Sequence, residues 1–199
     1  MEKFQPFAHP WWVNLLIIVP AAMYLLWRRK GLELTLREKL TIAAFAVAFG
    51  FVEAAVVVYL RAALGQLPGY NGTLADIRRL SATHQQAPSL TTFPQSLLTI
   101  KMLRQAATML MLVSMSLLAA PRLRERWASF LWAFAIWDIT YYAGLWAIVG
   151  WPASLKETDI LFLIPVPWVA QVWYPILVSA LSLLAVSMAK MPTRTPSTD

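Results

Sequence analysis

The stretch LTIAAFAVAFGFVEAAVVVYL, residues 40–60, carries one charged residue, Glu53, in an otherwise apolar run. A helix needs about 20 residues to cross the ~30 Å hydrocarbon core of a bilayer. The run therefore predicts a membrane-spanning helix with an acid inside it. Four further apolar stretches flank it: Trp11 to Trp27 with Pro20 inside, Leu98 to Ala120, Ala128 to Val149, and Ile160 to Ala189. The last would reach ~45 Å as one straight helix. Pro165, Pro167 and Pro175 interrupt it, and proline removes a backbone donor and fixes φ. We therefore divide it into an interfacial or re-entrant segment, 160–168, and a helix over 169–189.

The expected fold is all-α: a polytopic integral membrane bundle of five transmembrane helices, about 11–27, 40–60, 98–120, 128–149 and 169–189. These form a single domain over 1–199, with an outer loop at 65–97 and a cytoplasmic tail at 190–199. Composition agrees. Hydrophobic residues make up 59% of the chain and charged ones 14%, against roughly half and a quarter in soluble domains. A soluble globular domain and a disordered chain are both excluded. With no cysteine, the chain has no disulfide, thiolate zinc site or iron–sulfur cluster of its own.

The net charge of +7 suggests nucleic acid until the basic residues are located. Arg28, Arg29, Lys30, Arg37, Lys39, Arg122, Arg124, Arg126, Lys190 and Arg194 all fall in loops of one side or in the tail. The remaining seven are Lys3, Arg61, Arg78, Arg79, Lys101, Arg104 and Lys156. Cytoplasmic loops collect Lys and Arg, which places the N-terminus outside and the C-terminus inside. No nucleic-acid partner is expected. The first run lacks a positive start and a small-residue cleavage site, so it reads as an uncleaved anchor.

Charges inside spans cost at least a few kcal/mol each and must be satisfied. Counted from the helix ends, Glu53 and Arg104 lie ~20 Å above the inner face, and Asp138 lies ~15 Å above it. This predicts a buried polar cluster in which Glu53 pairs with Arg104, with Asp138 nearby or reached through hydroxyls. Thr108 shares the Arg104 side of its helix, and Tyr142 lies one turn after Asp138. Ala46, Gly50 and Ala54 recur every four residues, a small-residue face that admits another helix closely. The cluster is either a polar or proton site or a structural clamp on helix register.

Asp159-Ile-Leu-Phe-Leu-Ile-Pro-Val-Pro-Trp168 is the other unusual segment. Non-helical backbone at membrane depth survives only when covered by protein or facing water. Pro165, Pro167 and Trp168 therefore mark an interfacial segment, with Asp159 expected as a helix cap. In the outer loop, Thr73 precedes a short helical pattern at 74–80, and Asn71 opens a glycosylation sequon. His9 and His84 are too isolated to predict a metal. Met102, Met109, Met111 and Met115 read as packing.

The segments Trp137-Asp-Ile-Thr-Tyr-Tyr142, Gly150-Trp-Pro-Ala-Ser-Leu155 and Asp159 to Trp168 resemble an uncharacterised group of bacterial multi-pass integral membrane proteins. Residues 51–61 and 103–108 are similar to that group as well. Gln105 stands where the group often carries an acid. The resemblance implies a bacterial inner-membrane protein and no particular activity.

Three function classes follow. The first is an accessory or scaffold subunit of an energy-transducing membrane complex, respiratory or photosynthetic. The second is a small transporter or permease component using the Glu53, Arg104 and Asp138 cluster. The third is an intramembrane enzyme acting on a lipid or quinone, with Asp138 and Tyr142 as acid–base groups. No cofactor is expected to be held by this chain alone. Lipid, quinone or pigment would sit at helix interfaces, and the partners would be membrane lipids and other membrane subunits.

Overall fold

The computed structural model describes residues 3–63, 73 and 95–189. Most of the outer loop, with Asn71, Asp76, Arg78, Arg79 and His84, and the tail with Lys190 and Arg194 lie outside the described residues.

The chain enters as a 3-10 segment, Trp11–Ile17, that continues into α1, Ile18–Lys30. Pro20 falls in the first turn of α1, where a residue without an N–H is tolerated. Gly31, at φ 71°, ends that helix and returns its N–H to the Trp27 carbonyl at 2.7 Å. Helix α2, Leu36–Ala63, starts on a capping box. The Thr35 N–H donates to Glu38 Oε2 (2.7 Å), and the Glu38 N–H donates to Thr35 Oγ1 (3.2 Å). Helix α3 is Gln95–Ala119 and α4 is Leu123–Val149, closed by Gly150 at φ 72°. The last helix, α5, is Trp173–Met188.

Four helical stretches are long and apolar enough to cross a membrane: Trp11–Lys30, Leu36–Leu60, Leu98–Ala119 and Leu123–Val149. The chain is thus a multi-pass helical membrane protein. Helix α5 has 16 residues, about 24 Å, short of the ~30 Å hydrocarbon core.

Helix α4 is the centre of the bundle. It packs against α2, α3 and α5, and α1 packs against α5. The α2–α4 crossing is close because Ala46, Gly50 and Ala54 line it. Ala46 and Ala54 are fully buried. A Cβ on Gly50 would stand 2.6 Å from the Trp137 carbonyl oxygen. Gly144 meets the same face from α4, its Cβ position lying 2.9 Å from Ala54 Cβ.

The all-α expectation is corrected at one place. Strands β1, Thr158–Phe162, and β2, Trp168–Gln171, form an antiparallel hairpin with a bulge between Ile160 and Phe162. The last helix accordingly starts at Trp173, not at Val169. Pro165 and Pro167 cannot sustain a helical ladder and fall in the exposed connection between the strands. The free edge of β2 is also satisfied. His9 and Val169 exchange backbone hydrogen bonds of 2.8 and 2.7 Å, so the N-terminal segment adds a bridge beside the hairpin. Gln171 fastens the same segment. Its Nε2 donates to the Lys3 carbonyl (2.8 Å), and its Oε1 accepts from the Gln5 N–H (2.9 Å).

The opposite end of the bundle is basic. Arg122 pairs with Glu33, and Arg124 binds Glu125 and donates to the Lys30 carbonyl at 3.2 Å. The Trp132 indole donates to the Lys39 carbonyl at 3.0 Å. The ends of α1, α2 and α4 that carry Arg and Lys are therefore gathered together, away from the hairpin.

Candidate functional site: a polar cluster above an apolar cleft

Glu53 on α2 and Arg104 on α3 form an ion pair. Thr108, one turn after Arg104, donates to Glu53 Oε1 at 2.8 Å and lies 3.0 Å from the Arg104 carbonyl. Both carboxylate oxygens of Glu53 are thus satisfied. Glu53 is only 7% exposed and Thr108 3%. A buried carboxylate with this much support is held in one rotamer, which suits either a clamp or a fixed wall of a site.

Asp138 does not join that pair. Its Oδ2 accepts from Ser179 Oγ on α5 at 2.8 Å, and it carries no ion pair among the described residues. Tyr142, one turn further along α4, donates to Asp159 Oδ2 at 2.9 Å. Asp159 therefore acts as an acceptor on β1, not as a helix cap, because the segment it opens is a strand. Its other oxygen accepts from the Ile160 N–H at 2.8 Å. Gln105 ties the hairpin to α3, its Oε1 accepting from the Leu163 N–H (2.9 Å) and its Nε2 reaching the Leu161 carbonyl (3.4 Å).

The sequence did not single out Ser179, or Gln105 as a latch. Serine at 179 and 182 puts small hydroxyls one turn apart on the last helix. That spacing is the available signal for a polar face toward Asp138. The Gln105 contact depends on the hairpin and has no local signature.

Glu53, Arg104, Gln105, Thr108, Asp138, Tyr142 and Asp159 line one cavity of about 640 Å³. Arg104, Gln105 and Thr108 on α3 form one wall, and Phe130, Phe134, Asp138 and Tyr141 on α4 form the floor. Leu16, Val19, Pro20 and Val178, from the 3-10 segment, α1 and α5, form the facing wall. Ile160, Leu161 and Trp168 of the hairpin cap one end. The cavity is therefore amphipathic along its length. Its capped end holds Glu53, Arg104, Asp138, Tyr142 and Asp159, and its other end runs down to Trp127, Phe130 and Leu131.

Among the described residues, no group of three His, Cys, Asp or Glu side chains is placed to hold a metal ion. Met109 and Met115 pack against the α2–α3–α4 core. No protein-family model, curated protein or solved structure matches this chain.

Proposed function

We propose that the protein binds an amphiphile from the bilayer, its polar head beneath the hairpin and its apolar chain along the cleft. The observation that carries this reading is a cavity that joins a buried polar cluster to an apolar trench. Sites for small molecules are concave and mostly apolar, with a few convergent polar groups, and typically enclose about 300–1,000 Å³. The cavity matches that description in volume and in lining. The helix clamp made by Glu53 and Arg104 forms part of the wall, so structural and binding roles coincide there.

In this reading the chain spans the membrane five times, with α5 as a short last span, N-terminus outside and C-terminus inside. The basic ends of α1, α2 and α4 support that orientation. It places the hairpin and the polar head at the outer face of a bacterial inner membrane. Membership of a larger energy-transducing complex rests on composition, and we place it second, because the amphiphile reading has a cavity of the right size and lining behind it. A transport role would need polar groups to continue toward the basic end, where the cleft is lined by Trp127, Phe130 and Leu131.

The test is gentle purification followed by native mass spectrometry. The wild-type chain should retain an amphiphile that organic extraction releases. Val178→Trp, which fills the trench, should lose it while keeping its melting temperature. A preparation that folds and carries no more amphiphile than Val178→Trp does would contradict the reading.

A further inference from the structure

Three carboxylates line the cavity, Glu53, Asp138 and Asp159, and their partners differ. Glu53 has the Arg104 guanidinium and the Thr108 hydroxyl. Asp138 has one neutral donor, Ser179 Oγ at 2.8 Å. Asp159 has two neutral donors, the Tyr142 hydroxyl at 2.9 Å and the Ile160 N–H at 2.8 Å. Neither aspartate has an ion pair among the described residues.

Asp138 is the more informative of the two. It is 7% exposed and lies on a membrane-spanning helix, where a carboxylate without a cation is costly. Its Oδ1 takes no hydrogen bond from the described residues. That oxygen is not sealed in the packing, as Trp137 Nε1 and Trp168 Nε1 are, and it opens onto the cavity. Asp159 stands at the same end, because Tyr142, which donates to it, follows Asp138 by one turn of α4. The two aspartates therefore present acceptor oxygens and negative charge to whatever enters.

The rest of this end agrees. Tyr141 and Tyr142, with ring centroids 5.1 Å apart, line it together with Trp168. Aromatic faces attract a cation within about 6 Å of the ring centroid. With Arg104 paired to Glu53, Lys101 is the other cation on the cavity wall, set against two aspartates. An anionic head would add like charge, and a head with acceptors alone would leave Asp138 Oδ1 without a donor.

We infer that the head is an ammonium group bearing N–H, which donates to Asp138 Oδ1 and lies against Asp159, on a single apolar chain that runs between Val19, Phe130 and Val178. This inference rests on the amphiphile reading above and names its chemical class. A free long-chain amine and the ethanolamine head of a phospholipid share that chemistry.

The full chain in phosphatidylcholine nanodiscs is titrated separately with dodecylamine, dodecanol and lysophosphatidylethanolamine, and occupancy is read by native mass spectrometry. Each probe is compared between variants, so its partition into the bilayer cancels. Asp138→Asn keeps an acceptor for Ser179 and removes the charge. It should weaken dodecylamine about tenfold and dodecanol by no more than about threefold. Asp159→Asn should act in the same direction and serves if Asp138→Asn does not fold. Dodecylamine and dodecanol should both be lost in Val178→Trp. If lysophosphatidylethanolamine follows dodecylamine through these variants, a phospholipid is the source; if it does not, a free amine is, and both patterns support the ammonium head. Unchanged dodecylamine affinity in both Asp variants overturns the inference, as does a loss of dodecanol equal to that of dodecylamine. If dodecanol binding is sensitive to Val178→Trp while dodecylamine ignores both Asp substitutions, the ammonium assignment falls and the amphiphile site stands. If no probe is sensitive to Val178→Trp, both fall.

Discussion

Glu53 and Arg104 show why a charge inside a membrane helix is informative. The depth arithmetic puts both side chains at one level, and in the structure they meet, with Thr108 filling the remaining acceptor. That much is legible because helix rise is constant and an unpaired ion in hydrocarbon is expensive. Asp138 is different. Depth alone does not say which neighbour faces it, and its partner is a serine 41 residues away on α5. The pair makes a specific prediction. Glu53→Gln or Arg104→Gln alone leaves one buried ion without its partner and should cost roughly 3–5 kcal/mol, seen as a lower melting temperature in detergent. The double substitution should recover most of that loss, because no lone charge remains. A double variant no better than the worse single would show that the two side chains do not act as a pair.

At the scale of elements, helix existence was readable and the hairpin was not. Runs such as 40–60 and 128–149 are too long and too apolar to be anything but spanning helices. A short apolar run bounded by prolines fits a buried strand or a helix equally well, and periodicity does not separate them. The tie is broken by tertiary contacts: the bridge to His9 and the Gln105 latch. Gln105→Leu should therefore leave the Leu163 N–H without its acceptor, a local cost of about 1–3 kcal/mol. Hydrogen exchange should accelerate at Leu163 while α2 and α4 keep their protection. Equal acceleration in all three would mean the hairpin is not an independent cap. The α2–α4 crossing has its own test. Gly50→Ala pushes a methyl against the Trp137 carbonyl, 2.6 Å away. It should destabilise the bundle by roughly 1–3 kcal/mol, read as a drop in melting temperature. A neutral Gly50→Ala would show that the helices are further apart than described.

The whole molecule combines a helical bundle with a cap on one end and a basic rim on the other. The absence of native cysteine makes its orientation directly measurable. With a single introduced thiol, Lys156→Cys beside the hairpin should react with a membrane-impermeant maleimide in intact cells. Arg29→Cys at the basic end should react only after lysis. The reverse pattern would invert the orientation and move the polar head to the inner face. The cavity itself was not legible in the sequence, because it is made by five helices and a hairpin, and its walls come from residues distant along the chain. The central claim is that this cavity holds an amphiphile, head under the hairpin. Photocrosslinking tests it most directly, using a neutral single-chain amphiphile with a diazirine at the tail end, in nanodiscs, with adducts mapped by mass spectrometry. The account predicts adducts at Val19, Phe130 and Val178 that excess unlabelled amphiphile suppresses. Adducts spread over the exposed residues Leu110 and Leu118 of α3, with no suppression by competitor, would contradict it.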